Sequence, residues 1–493
     1  MNSSPVVLDF SGIDKNREEV LFEQIAQQIV RFIQSGILKE NDKLPGTRQL
    51  AQLVGVHRKT IIRAVEDLID QGWLEVKPNV GTFVAQNLMQ KNLGVVSKGT
   101  KSISVQSGFT FKKSVLIENP IEDRVEDALT ISDGRPDFTL PFNLELSKIY
   151  NSVLKKKPLR SAQNTSGESL YFKTQLANYF NQSRGFFVSP KNILVTKSVE
   201  MALQIVSSIL FDPEDIVVVG EMSYYKANMI FQQNRAKIKT LALDDLGLDI
   251  DALENFLKKN KIRAVYVNSN AHYPTTVSLD FNRRIKLLEL AEIYDFVIIE
   301  DDLDSDFQYQ KSFVAPLFKL DTCGRVLYLG TFGKALLPNF SVGFVLAPQN
   351  FIKEASHYIP LYEGFPDLVL HQVLAEMIYE GVYNKNSKKA QLVYKQRRDL
   401  ITDLFHDFKC YGITFVIPPS GLSLWLNFPT NFKILDFVNS CKRERVFIPR
   451  HLIYQNKHIL GLRLGFADLT PLDIDRVYNV FTSQIPECFN STY

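Results

Sequence analysis

Cysteine is scarce in this chain: Cys323, Cys410, Cys441 and Cys488 are the four among 493 residues, far apart and without CxxC spacing. That argues against a disulfide framework and a cysteine-built zinc site, and it fits a reducing compartment. Charge of one sign is lacking too, since 57 Lys and Arg against 54 Asp and Glu leave a net +3. Affinity for nucleic acid therefore has to come from a local patch, not from the field of the whole molecule. No apolar run is long enough to span a bilayer, and the opening MNSSPVVLDF has no basic region followed by an apolar core. A cytoplasmic protein without a membrane segment is expected. What is present is 45% hydrophobic residues, an ordinary globular composition, on a chain too long for one core. At least two domains are expected.

The first organised stretch begins at Leu21. In LFEQIAQQIVRFIQSGIL, Leu21, Ile25, Ile29, Ile33 and Leu38 recur at near-helical spacing, and Gly36 stands where a helix would stop. LPGTRQLAQLVGV predicts a short second helix after Pro45, with Leu50, Ala51 and Leu53 apolar and Gly55 free to take a left-handed turn. HRKTIIRAVEDLIDQGWL follows, with Ile61, Ile62, Val65, Leu68 and Ile69 on one face and a polar, basic first turn from His57 to Thr60. Two helices across a tight turn, the second opening with basic and hydroxyl residues, form the layout that enters a DNA major groove. WLEVKPNVGTFVA then predicts a two-stranded wing around residues 78–81. Between Asn41 and Arg63 stand Lys43, Arg48, Arg58, Lys59 and Arg63 against the single acid Asp42, a charge local to that face.

The stretch LPGTRQLAQLVGVHRKTIIRAVEDLIDQGWLEVKPNVGTFV resembles the winged helix of GntR-type bacterial regulators, matching at Pro45, Thr47, Arg48, Val56, Arg58, Thr60, Ile61, Gly81, Thr82 and Phe83. The resemblance implies binding to a double-stranded DNA operator. Arg48, Arg58 and Thr60 would touch phosphates and base edges, with Thr47 and Lys59 on the same face, and Gly81 would approach the minor groove. Gly46 and His57 stand where the family carries serines. The winged helix is assigned to 1–87, and 88–126 is read as a linker, because there apolar periodicity ends and Lys91, Lys98, Lys101, Lys112 and Lys113 appear.

From 127 to 493 short β-branched runs, NILVT, IVVVG, AVYVNS, FVIIEDD, VLYLG and VGFVLA, alternate with helical or loop stretches. The alternation predicts an α/β domain with a mostly parallel sheet, whose ligands bind beyond the carboxyl ends of the strands. There the chain places Lys197, Ser198 and Glu200 opening a helix, Glu221 to Tyr225, then Asn270 with His272 and Tyr273, then Asp301 and Asp302, and finally Thr331 and Lys334. A lysine, a carboxylate, an aromatic and a helix start on one edge match what pyridoxal 5′-phosphate (PLP) requires.

Here the chain resembles a MocR/GabR-type transcriptional regulator, a GntR winged helix fused to a fold-type I aminotransferase-like domain. The segments DGRPDFTLPF, HYPTTVSLDFNRRIKLLELA, IIEDDLDSDFQY, GTFGKALLPNFSVGFVLAP and LRLGFA carry the likeness. It implies that Lys334 is the Schiff-base lysine and Asp301 the partner of the pyridine nitrogen. Tyr224 would stack on the ring, and Arg463 would bind a carboxylate of the substrate or effector, while phosphate contacts from Ser198 and Thr331 would be rearranged ones. A homodimer is implied as well. Departures cluster at the cofactor: Leu303 for a tyrosine, Ser341 for an arginine, Gly333 for a serine, Ser198 and Glu200 at the phosphate helix, and Asn270, Ala271 and His272 for a Ser-His-Gln triplet. A carboxylate near a phosphate repels it, and the serine at 341 withholds a cation, so a weakened PLP site is expected, with rearranged contacts from Thr331 or Ser198. Three functions stay open: a regulator sensing PLP or an amine, a regulator whose large domain is only a dimerisation scaffold, and an active aminotransferase.

Overall fold

The computed structural model describes residues 8–10, 13, 20–78, 80–86, 107, 109–110, 127–140, 143–155, 169–302, 304, 306–309, 315–334, 336, 340–456 and 459–489. The chain divides into two compact units, 1–112 and 113–493. Of the stretch read as a linker, only 107, 109 and 110 are described; its five lysines lie outside the described residues.

In the small unit, α1 spans Leu21–Gln34, α2 Thr47–Val54 and α3 Arg58–Asp70. Gly55 ends α2 at φ +69°, and this left-handed residue makes the tight turn into α3. Ile25, Ile29, Leu50, Ile61, Leu68 and Leu74 fill the core, each contributing about 1.5–3 kcal/mol of burial. The inward face of α3 is made by Ile61, Ala64, Val65 and Leu68, while Ile62 and Ile69 are only half-buried and Leu53 of α2 is exposed. Strands β1, Leu74–Lys77, and β2, Gly81–Val84, pair antiparallel with Lys77 opposite Gly81, forming the wing.

The large unit is built on a seven-stranded sheet in the order Ile193–Thr196, Val342–Leu346, Val326–Phe332, Val297–Asp301, Ala264–Val267, Ile216–Gly220, Lys237–Leu241. Only Val342–Leu346 runs against its neighbours; the other ladders are parallel. The alternation of runs predicts this sheet except for its last strand. KIKTL exposes Lys237 and Lys239, and lysines on an edge strand discourage pairing with another chain. Helices including Val199–Leu210, Phe281–Ile293 and Leu368–Tyr379 cover the sheet through separate apolar layers. A second core near the C-terminal end packs the strands Ser423–Asn427 and Leu460–Gly465 against Val382–Phe405 and Pro471–Gln484. Among the described residues no helix is long and apolar enough to cross a membrane.

Candidate functional site

In the small unit the basic residues gather at the start of α3. His57 replaces a serine there, and its Nδ1 accepts a hydrogen bond from the Lys59 amide at 3.3 Å, so the imidazole supplies the N-cap. Gly46, at the cap of α2, supplies no side chain. Arg58 Nε donates to Thr47 Oγ1 at 3.2 Å, fixing one guanidinium edge between the two helices. Arg48, Arg58 and Lys59 are exposed and Thr47 and Thr60 half-buried. In the wing, Phe83 carries the Lys77 ammonium 4.8 Å and the Lys43 ammonium 6.0 Å from its ring centre. Gly81 has φ +141°, and a Cβ there would lie 2.7 Å from Lys43 Cε. Lys77 stands in the wing, outside the basic run between Asn41 and Arg63 that is visible in the sequence.

In the large unit a cavity of about 590 Å³ lies at the carboxyl edge of the sheet. Ser198, Tyr224, Thr331, Lys334 and Arg463 all line it, so five of the six residues singled out around the cofactor come together. The sixth, Asp301, is not in the lining; it is 1% exposed at the end of its strand. Its Oδ2 accepts from Tyr266 Oη at 2.7 Å, while its Oδ1 is buried with no hydrogen-bond partner among the described residues. Burial pushes the carboxyl up to about 7; the Tyr266 hydrogen bond opposes this, and the charges of Asp302 and Glu200 add to it.

Lys334 follows the strand Val326–Phe332, and its Nζ donates to Asp304 Oδ1. A hydrogen-bond chain holds the backbone just before it. Gly333 N–H donates to Tyr383 Oη at 3.3 Å, Tyr383 donates to Asp306, and Arg184 reaches Asp306 at 2.9 Å and Asp302 at 3.6 Å. Gly333 itself sits at φ +86°, with the Phe340 carbonyl 2.9 Å from where a Cβ would stand. Glycine in place of serine is thus a backbone requirement of this loop.

Ser198 caps the helix Val199–Leu210, its Oγ accepting from the Met201 amide at 3.3 Å. Glu200 in the first turn accepts from Lys226 Nζ at 3.1 Å and from Tyr224 Oη at 3.3 Å. Ser341 also lines the cavity, with Thr331. Arg463, 6% exposed, donates to the Asp133 carbonyl at 2.9 Å and the Pro274 carbonyl at 3.0 Å, and its guanidinium stands 4.3 Å from the Tyr273 ring centre. Of the altered triplet, Asn270 donates to Asp302 at 2.9 Å, and burial holds His272 down at about 3, so it is neutral. Leu303 lies outside the described residues. Lys226 and Asp304 were not singled out from sequence, although one stands two residues after Tyr224 and the other inside the acidic run.

A winged helix on one unit and a strand-edge cavity with a lysine and a buried carboxylate on the other define a DNA-binding protein carrying an aminotransferase-type domain. The family of aminotransferases of class I and II matches residues 149–481, and the bacterial regulatory proteins of the gntR family match residues 21–84. Among relatives, "Probable rhizopine catabolism regulatory protein MocR" of Rhizobium meliloti is 25% identical over 84% of this chain and 83% of its own. "Aromatic-amino-acid aminotransferase 1" of Thermococcus litoralis is 30% identical over 69% of this chain and 84% of its own. The crystal structure of an archaeal alanine:glyoxylate aminotransferase matches with a TM-score of 0.68 at 25% identity, covering 73% of this chain and 91% of that one. The chain belongs to the aminotransferase class I and II family, in the fused form in which a gntR-type helix-turn-helix precedes the aminotransferase-like domain, as in MocR.

Proposed function

We propose that this gntR-type regulator binds its operator through the α2–α3 face and wing, and that its large unit holds PLP on Lys334 as the sensing group. The observation that carries the second half is Asp301 Oδ1, a buried acceptor without a donor among the described residues. Such an orphan is costly unless a ligand supplies the missing hydrogen, and a protonated ring nitrogen is that donor. PLP when bound supplies an electron-poor ring and an aldehyde that captures amines. The residues around it have distinct tasks. Asp301 would hold a proton at the ring nitrogen. Tyr224 would cover the ring, and Ser198 at the helix start, where the dipole favours an anion, would offer a hydroxyl together with Thr331 and Ser341 of the same lining. Asp304 orients the Lys334 amine and is placed to take the proton that Nζ must lose before acting as a nucleophile. Arg463, fixed by two carbonyls and a ring, presents its remaining edge to a carboxylate-bearing amine. The large unit is further proposed to set the geometry of a homodimer, and with it the spacing of the two winged helices.

Two experiments test the halves separately. Titration with PLP should raise a visible absorbance band, and borohydride reduction followed by peptide mapping should place the adduct on Lys334; Lys334→Ala should give neither. A wild-type protein with no band and no adduct would reject the cofactor and leave a scaffold. Arg58→Ala, at an exposed side chain with one hydrogen bond, should abolish operator binding in a mobility-shift assay while leaving the circular dichroism spectrum unchanged. Undiminished affinity would reject the DNA-binding face.

A further inference from the structure

The anion end of the cavity departs from what a phosphate site ordinarily needs. The only acid in the first turn of the Val199–Leu210 helix, Glu200, faces the same cavity as Ser198, and position 341 supplies a hydroxyl instead of a cation. A carboxylate there would oppose the helix dipole that draws an anion in. The structure answers this from another helix. Lys226, in the first turn of Tyr225–Gln233, reaches Glu200 Oε1 at 3.1 Å and lines the cavity with it. The other cations of the lining are engaged elsewhere: Lys334 with Asp304, Arg463 with the Asp133 and Pro274 carbonyls, and Arg135 with Asp468 at 3.1 Å.

Resting on the reading of this cavity as a PLP site, we propose that Lys226 is the phosphate-side cation of this chain. It neutralises Glu200 and attracts the cofactor's phosphate, taking over from a distinct element the charge that Ser341 cannot supply. Asp301 Oδ1, buried and without a hydrogen-bond partner among the described residues, would take the ring end of the same ligand. The pairing is also consistent with the charge states on both sides. Burial works against the Lys226 charge, but Glu200 outweighs it and holds the amine above its usual range. Burial likewise raises Glu200, and Lys226 with its hydrogen bond outweighs that and holds the carboxyl below its own. Because Lys226 is exposed at the cavity rim, its ammonium can swing between the carboxylate and an arriving phosphate without repacking the core.

The test compares PLP with pyridoxal, which has the ring and aldehyde but no phosphate. Wild type, Lys226→Met, Lys226→Arg and Glu200→Gln are titrated with each by absorbance and tryptophan fluorescence. Lys226→Met should weaken PLP by about tenfold, the scale of one charge-assisted contact, while pyridoxal binding stays within about twofold. Lys226→Arg should keep most of the PLP affinity, and Glu200→Gln should tighten PLP several-fold by removing the repelling charge. Equal losses for both ligands in Lys226→Met would mean a structural role and overturn the proposal, as would an unchanged PLP affinity. Failure of the wild type to bind PLP at all would instead reject the underlying reading of the cavity, so the two failures are distinct.

Discussion

Asp301 is held in a state that water would not permit. Its carboxyl sits near 7 because burial penalises the charge, against an ordinary value of 3.8. Above pH 3.8 the unfolded chain releases this proton while the folded chain keeps it, so the folded form binds more protons until about pH 7. Stability therefore falls as pH rises through that window, and the full deficit is present above it. Glu300, pushed up to about 7 mainly by burial, acts in the same direction. For ligand-free protein, the urea midpoint of the large unit should be lower at pH 8 than at pH 5.5. Asp301→Asn should remove a part of that difference worth about 1–3 kcal/mol. A mutant that keeps the whole difference would mean Asp301 is already ionised at pH 5.5. The same residue explains why a ligand with a ring N–H would be welcome: it offers the charged form the partner that the fold withholds.

At the scale of elements, the helix Val199–Leu210 depends on a glycine in another strand. A Cβ on Gly343 would lie 2.3 Å from the Ser198 carbonyl carbon and oxygen, so any side chain there pushes the strand Val342–Leu346 and the helix start apart. Gly343→Ala should cost about 1–3 kcal/mol, as overpacking does, and should weaken PLP by displacing the Ser198 cap. Denaturation and a PLP titration check both, and a mutant with unaltered affinity would show that the helix start is not where the anion sits. How much of this was legible in sequence follows from what each element needs. Strands buried on both faces read as β-branched runs, so six of seven were visible, whereas KIKTL at the edge alternates its two lysines with Ile238 and Thr240 and forms no such run. The strand ends were legible as an inventory, because in a parallel sheet they must converge on one side. Pairings across elements were not legible. Nothing in the spacing says that Lys226 turns towards Glu200 or that Asp304 takes the Lys334 amine, since both depend on how separate segments are oriented. Gly333 misled in another way: a lost serine was visible, but the left-handed backbone that demands glycine was not.

At the scale of the whole molecule, the net charge of +3 forces DNA affinity to rest on few residues. Each phosphate contact contributes about 0.9 to the slope of log K against log salt, so Arg48→Ala or Lys59→Ala should each lower that slope by about one while weakening all sequences alike. A side chain that reads a base edge should instead relax sequence preference, which separates positioning residues from reading residues on α3. Two winged helices on one homodimer can occupy only half-sites whose separation matches their own. If the large unit sets that separation, occupancy of its cavity must alter which spacing is preferred, because a ligand shifts an equilibrium only by binding its two states unequally. Operators with half-sites stepped by one base pair at a time, titrated with wild-type protein before and after PLP and an amino acid are added, should show a change in the preferred spacing. Lys334→Ala should bind the same set of operators with no response to the additions. A response that persists in Lys334→Ala would assign the sensing to the Arg463 side of the cavity acting without the covalent link, and a wild type without any response would separate DNA reading from the large unit altogether.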